Sequence, residues 1–212
     1  MKKAKKIVAL LLCAVLLVGA SVAGTLAYLT STTDEVKNTF TAGKVQLGGE
    51  DGKGALDEAK VDLYGDPVDG AERVTSNEYK LIPGHEYTKD PTLHVAAGSE
   101  PCYLFVKVVN GISAIEAAGN TTIAAQMTAK GWNQLTVDGN PVENVFYYNA
   151  VVDAGAAQKD VVIFEKFILA DTADVSAYED ATITITGYAV QSDGFDSAAA
   201  AWKDAPTTWT KN

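Results

Sequence analysis

Histidine is almost missing from this sequence: His85 and His94 are the only two. A catalytic zinc takes three protein ligands and a water, so a histidine-rich metal centre is excluded. His85-Glu86 opens like the zinc-protease helix motif H-E-x-x-H, but Lys89 stands where the second histidine belongs. A cation there repels the metal. The surroundings also oppose a helix, because Pro83-Gly84 precedes His85 and Pro91 drives Asp90 toward extended backbone. The stretch reads instead as a turn at Pro83-Gly84 followed by a strand over residues 86–95. Assembly of a zinc site from His85, His94 and a carboxylate through folding is a minor alternative.

Cysteine is equally scarce, with Cys13 and Cys102 alone. There is no C-x-x-C, no G-x-S-x-G elbow near either histidine and no phosphate-binding glycine fingerprint. Carboxylate pairs are so common in this acidic chain that no single pair singles out a glycosidase. Hence no catalytic residue, no metal site and no cofactor is expected, and the chain does not read as an enzyme. A C-terminal L-P-x-T-G with an apolar span and basic tail is also missing. The sequon Asn120-Thr121-Thr122 carries little information.

What is present begins at the N-terminus. Lys2, Lys3, Lys5 and Lys6 precede an unbroken apolar run over residues 7–18, and Thr25-Leu26-Ala27 places small residues three and one positions before a cut. This is the pattern of a secretory signal peptide over residues 1–27, cleaved between Ala27 and Tyr28. Ser21-Val22-Ala23 offers a competing site. As a helix, residues 7–23 span about 25 Å, short of the ~30 Å hydrocarbon core that an anchor must cross. Cys13 lies inside the apolar run, and Leu10-Leu11-Leu12 lacks the small residues of a lipoprotein signal.

Removing the four lysines of this segment from 17 basic residues leaves 13 against 27 acidic ones, a formal charge of −14. That argues against nucleic acid and anionic membranes as partners and suits a secreted protein. Cys102 would then be the sole cysteine, so packing and not a disulfide must hold the fold. Following Glu100-Pro101 at a strand start, it is expected to be buried.

Behind a polar arm at 28–38, residues 39–212 read as one β-domain. Residues 39–47, "TFTAGKVQL", form a strand whose inward face shifts phase from Phe40 to Val45 and Leu47 across Gly43. Residues 48–70 read as a solvated acidic loop with a short strand at 61–63 and no EF-hand spacing. Residues 103–110, "YLFVKVVN", set Leu104, Val106 and Val108 on one face and Tyr103, Phe105 and Lys107 on the other. A helix follows at 122–129, then strands at 132–137, 145–152 and 160–169, with Asp138-Gly139 as a hairpin turn. Residues 181–190 alternate, with Ile183, Ile185 and Ala189 facing one way. Residues 196–203, "DSAAAAWK", form a short helix with Asp196 as the expected cap. Many strands, turns and few helices imply an all-β antiparallel sandwich. No internal repeat stands out.

Three stretches carry a resemblance. "GTLAYLTSTTDEVKNTFTAGKVQL" (residues 24–47) resembles the N-terminal region of the TasA/camelysin family, whose signal peptides are cut by the dedicated peptidase SipW. The matching positions are Gly24, Thr25 and Ala27, then Asn38, Phe40, Ala42 and Gly43. "LIPGHEYTKD" (81–90) is similar to that family's L-x-P-G-x-x-x-T-K turn, in which His85 and Glu86 fall at variable positions. "ITGYAVQSDGF" (185–195) resembles the closing strand of related exported proteins. The middle of the chain is unmatched. The resemblance implies a jelly-roll sandwich and a place at the cell surface or in the fibres of a biofilm matrix. It also implies assembly in which the N-terminal strand of one subunit completes a sheet in the next, a form of β-augmentation. Here Phe40, Val45 and Leu47 would be the inserted side chains, and the partners would be further copies of this chain, other matrix or surface proteins, and the signal peptidase during export. Within one isolated chain the same strand would pair with its own domain. Two other readings stay open. One is a non-fibrous surface module that binds glycans, with Trp132, Trp202 and Trp209 stacking on sugars. The other is the metalloendopeptidase activity attributed to one branch of the family, for which this sequence has no zinc motif.

Overall fold

A computed structural model of the chain describes residues 43–48 and 54–204. All belong to one compact unit that runs from Ala42 to Asn212. Ala27, Tyr28, Phe40 and Trp209 lie outside the described residues.

The β-branched and aromatic runs form ten strands: β1 (Leu56–Asp57), β2 (Glu86–Thr88), β3 (Thr92–Val95), β4 (Ser99–Asn110), β5 (Trp132–Val137), β6 (Asn140–Tyr148), β7 (Val152–Ala154), β8 (Lys159–Val162), β9 (Lys166–Ile168) and β10 (Ile183–Gln191). Among the described residues there are two short α-helices, α1 (Ile123–Ala129) and α2 (Ala198–Asp204). Every strand pairing is antiparallel. One sheet runs β1-β3-β8, a second runs β10-β4-β6-β5 with β7 also on β4, and β2 pairs with β9. The chain is thus all-β.

β4 organises the molecule because its two faces are both apolar. Leu104, Val106 and Val108 enter the main core with Leu93 and Val95 of β3, while Phe105 enters a second core with Leu135, Val145, Ala198 and Ala201. β10 lies along β4 from Ile183 opposite Asn110 to Gln191 opposite Cys102. Its Ile183, Ile185 and Ala189 pack on the main core, whereas Tyr188 and Val190 face the second. Cys102 is fully buried. The β5–β6 hairpin closes through Asp138 (φ 50°) and Gly139 (φ 82°), the left-handed pair that a two-residue turn requires. Thr122 caps α1 by accepting the Ala125 N–H.

Several expected elements are cut differently. The strands expected at 86–95 and 160–169 are each two pieces, β2 with β3 and β8 with β9. They nevertheless make one ribbon in a single register. Thr88 faces Lys166 and Thr92 faces Val162, four residues further along each strand. Two bonds bridge the gap, Lys89 N–H to Glu165 O at 3.0 Å and Ile163 N–H to Pro91 O at 2.8 Å. The ladder breaks there because Pro91 has no N–H to give. The strand expected at 145–152 ends at Tyr148; β6 is already paired with β4 there, Tyr147 opposite Phe105, and after a break the chain rejoins β4 in a shifted register, where Val152 of β7 faces Cys102. No strand occupies 61–63. Asp62 Oδ1 accepts the N–H groups of Tyr64 and Asp66, which turns the chain back and leaves only an isolated bridge between Val61 and Pro67. At α2 the cap is Ser197, whose hydroxyl accepts the Ala200 N–H, and not Asp196.

Candidate functional site

Residues 43–48 lie against the domain's own β3. Leu47 bridges to Val95, Gly48 N–H donates to His94 O at 2.9 Å and Ala96 N–H donates to Gln46 O at 2.9 Å. Glu100 N–H reaches Lys44 O at 3.0 Å, and Ser99 Oγ exchanges bonds with Gln46. Val45 and Leu47 are half-buried against the main core. Leu56 of β1 continues the same row opposite Leu93. Leu47 and Leu56 are nine residues apart in sequence, yet their partners Val95 and Leu93 are only two apart. A few backbone bonds and two apolar side chains hold the described part of this N-terminal segment.

Beside the row lies a polar network that the sequence did not reveal. Arg73 anchors the 58–74 stretch to β1 and β3. Its Nε meets Asp57 Oδ1 at 2.5 Å, its Nη1 meets Asp90 Oδ2 at 2.9 Å, and its Nη2 reaches the carbonyls of Asp57 and Asp90 and the Thr92 hydroxyl. His94 spans the outer strands of its sheet, with Nε2 3.0 Å from Asp57 on β1 and Nδ1 2.7 Å from Asp160 on β8. Burial opposes its protonation, but bonding to Asp160 and Asp57 outweighs this and raises its pKa above the ordinary histidine value. Asp160 is lowered in turn, chiefly by His94.

Deeper in, Lys89 and Glu58 form an ion pair with both residues less than a tenth exposed. Glu58 holds Lys89 Nζ through Oε2 and Asn77 Nδ2 through Oε1, the latter at 2.9 Å. Asn77 Nδ2 also donates to Ala59 O at 2.8 Å, and its Oδ1 accepts the Val61 N–H at 3.1 Å. The Tyr79 ring lies 5.9 Å from Lys89 Nζ and packs edge-on against Tyr87 and Phe167. Burial, with the Glu58 charge second, pushes the Tyr79 phenol well up. Asn77, Tyr79, Lys89, Phe167 and Ile183 line one groove of about 780 Å³.

The two histidines are not brought together. The His85 ring stacks edge-on against Tyr87 and its Nε2 donates to Tyr64 O at 2.8 Å, while His94 is engaged by Asp57 and Asp160. Glu86 pairs with Lys166 across the ribbon at 2.8 Å. Among the described residues no group of three or more His, Cys, Asp or Glu side chains is placed to hold a metal. Trp132 is fully buried, with its indole N–H on Val162 O, and so cannot stack on a sugar. Trp202 packs on Phe105 and Tyr188.

Glu58, Asn77 and Lys89 escaped the sequence reading because 48–70 looked solvated and Lys89 counted only as an obstacle to zinc. A signal existed. Asn77, Tyr79 and Leu81 alternate with exposed Ser76, Glu78 and Lys80, and Tyr87, Lys89, Pro91 and Leu93 share one buried parity. Both patterns put a polar residue on the inner face. Comparison of this chain with family models, curated proteins and solved structures returns no match.

Proposed function

We propose that the chain is an exported structural subunit that polymerises at the cell surface or in an extracellular matrix by exchange of its N-terminal strand. The observation that carries this reading is the attachment of residues 43–48. They lie alongside β3 by backbone bonds, with Val45 and Leu47 on the core side. An equivalent segment from another copy can satisfy the same bonds, so exchanged and unexchanged states differ little in energy. The resemblance of residues 24–47 to the TasA/camelysin family supports export and assembly, with Ala27 and Tyr28 flanking the cut and Phe40 joining Val45 and Leu47 as inserted side chains. Antiparallel sheets that share one core are in keeping with the jelly-roll sandwich of that family.

Two variants of the mature chain test the proposal. Deleting residues 28–38 should leave circular dichroism and the unfolding midpoint unchanged and abolish fibres in electron micrographs. Val45→Asp should lower stability by about 1–3 kcal/mol, because it sets a charge against the core, and should abolish fibres too. Normal fibres from the deletion variant would end the exchange reading. A wild-type chain that stays monomeric at high concentration and acidic pH would favour a surface binding module.

A further inference from the structure

We propose that Lys89 and Asn77 become joined by an isopeptide bond, formed within the folded chain with Glu58 as proton carrier. The inference rests on the geometry of the three side chains and not on the fibre reading. An amine can attack an amide carbonyl only when a base holds it and removes its proton. Glu58 Oε2 holds Nζ of Lys89. A carboxamide yields its nitrogen only when that nitrogen is protonated as it leaves, and Glu58 Oε1 holds Nδ2 of Asn77 at 2.9 Å. One carboxylate thus touches both the attacking and the departing nitrogen. The third requirement is a donor on the amide oxygen, where negative charge develops in the tetrahedral intermediate. The Val61 N–H is in place there, 3.1 Å from Asn77 Oδ1.

Burial favours the reaction. Glu58 is 4% and Lys89 9% exposed, beneath the ring of Tyr79. Nζ must hand a proton to Glu58 before it can attack, and the shared carboxylate brings Lys89 and Asn77 to the same partner. Nζ then attacks Cγ of Asn77, the Cγ–Nδ2 bond breaks, and Glu58 carries two protons in succession from Nζ to Nδ2. The products are one new amide and one ammonium ion, with Glu58 returned to a carboxylate. Nothing is oxidised or reduced, and no cofactor takes part. The groove lined by Asn77 and Lys89 gives ammonium a path out.

The bond would tie the 75–81 stretch to the β2–β3 strand at the gap in the ribbon. This is a covalent brace in a domain whose one described cysteine, Cys102, is free and buried.

The test is the intact mass of the purified full chain, with its N-terminus fixed by sequencing. The expected result is a mass lower by one ammonia than the sequence requires. Proteolysis should yield a branched peptide that joins the Asn77 and Lys89 segments, with no tryptic cut after Lys89. Glu58→Gln, Asn77→Ala and Lys89→Met should each restore the full mass. A wild-type chain of full mass after prolonged incubation overturns the proposal whatever the variants do. So does an ammonia loss that maps to a succinimide at Asn110-Gly111. A Glu58→Gln chain cross-linked as completely as wild type would remove Glu58 from the reaction.

Discussion

A neutral imidazole has a single N–H and can donate to only one of the two carboxylates that flank His94. The charged form serves both. Because folding raises the pKa of His94, the stabilisation it gives is complete below the ordinary value of about 6.5 and is lost as the pH climbs through the higher folded value. The groups that face it are Asp57 from β1 and Asp160 and Gln158 from the β8 end, with Arg73 behind Asp57. Asp160 is 57% exposed, so solvent screens half of the arrangement and the loss should be only about 1 kcal/mol. Urea unfolding across neutral to alkaline pH should show that decline in wild type and a flatter profile in His94→Gln. Equal slopes would remove His94 from the pH response. At the same scale, burial pushes the Cys102 thiol up to about 11, which keeps it protonated and unreactive in the folded chain. Its burial was legible in the sequence from its place at a strand start. The engagement of His94 was not, because Asp57 and Asp160 lie 37 and 66 residues away along the chain.

Strands were legible wherever a period of two ran unbroken. β5 covers the expected residues, the 103–110 strand sits inside β4, and the two faces of β10 divide as the alternation of Ile183, Ile185 and Ala189 predicts. Misreadings cluster where a local pattern is interrupted for a distant reason. Between Thr88 and Thr92 the ladder thins to two backbone bonds because Pro91 has no N–H to give, while the side chains of Lys89 and Asp90 reach Glu58 and the Ala59 N–H. The 58–74 stretch that supplies Glu58 and Ala59 is itself fitted onto β2. Gly65, at φ +82°, brings its backbone so close that an added Cβ would sit 2.7 Å from Cα of Tyr87. Gly65→Ala should therefore cost about 2–3 kcal/mol through combined strain and overlap. Gly70, at φ +70° in open space, should lose only about 1 kcal/mol on the same change. Chemical denaturation of both variants separates the effects, and equal losses would show that the approach to Tyr87 carries no weight.

At the scale of the molecule, charge opposes association. The chain carries a formal −10, rising to −14 if the four N-terminal lysines are removed, and like-charged copies repel beyond contact. Self-association should quicken as the pH falls toward the isoelectric point near 4.6, and added salt should quicken it at neutral pH by screening. Light scattering against pH and ionic strength measures both. Association that slows with salt at neutral pH would mean that specific ion pairs, and not backbone pairing, join the copies.

The sequence by itself determined the all-β, antiparallel character, the faces of the central strands, the hairpin at Asp138-Gly139 and the burial of Cys102. Each follows from local alternation, turn chemistry or composition, which act over a few residues. It also limited the metal chemistry, since two histidines cannot furnish a histidine-rich centre. Only the tertiary structure decided where the strands break and which polar side chains meet. Asp57, His94 and Asp160 converge from three strands, and Glu58, Asn77 and Lys89 converge from the start of the 58–74 stretch, the stretch beside the groove and the gap in the ribbon. The physical reason is burial. A lysine and a glutamate that look solvated in the sequence must find each other once the main core closes, because neither charge is tolerated there alone.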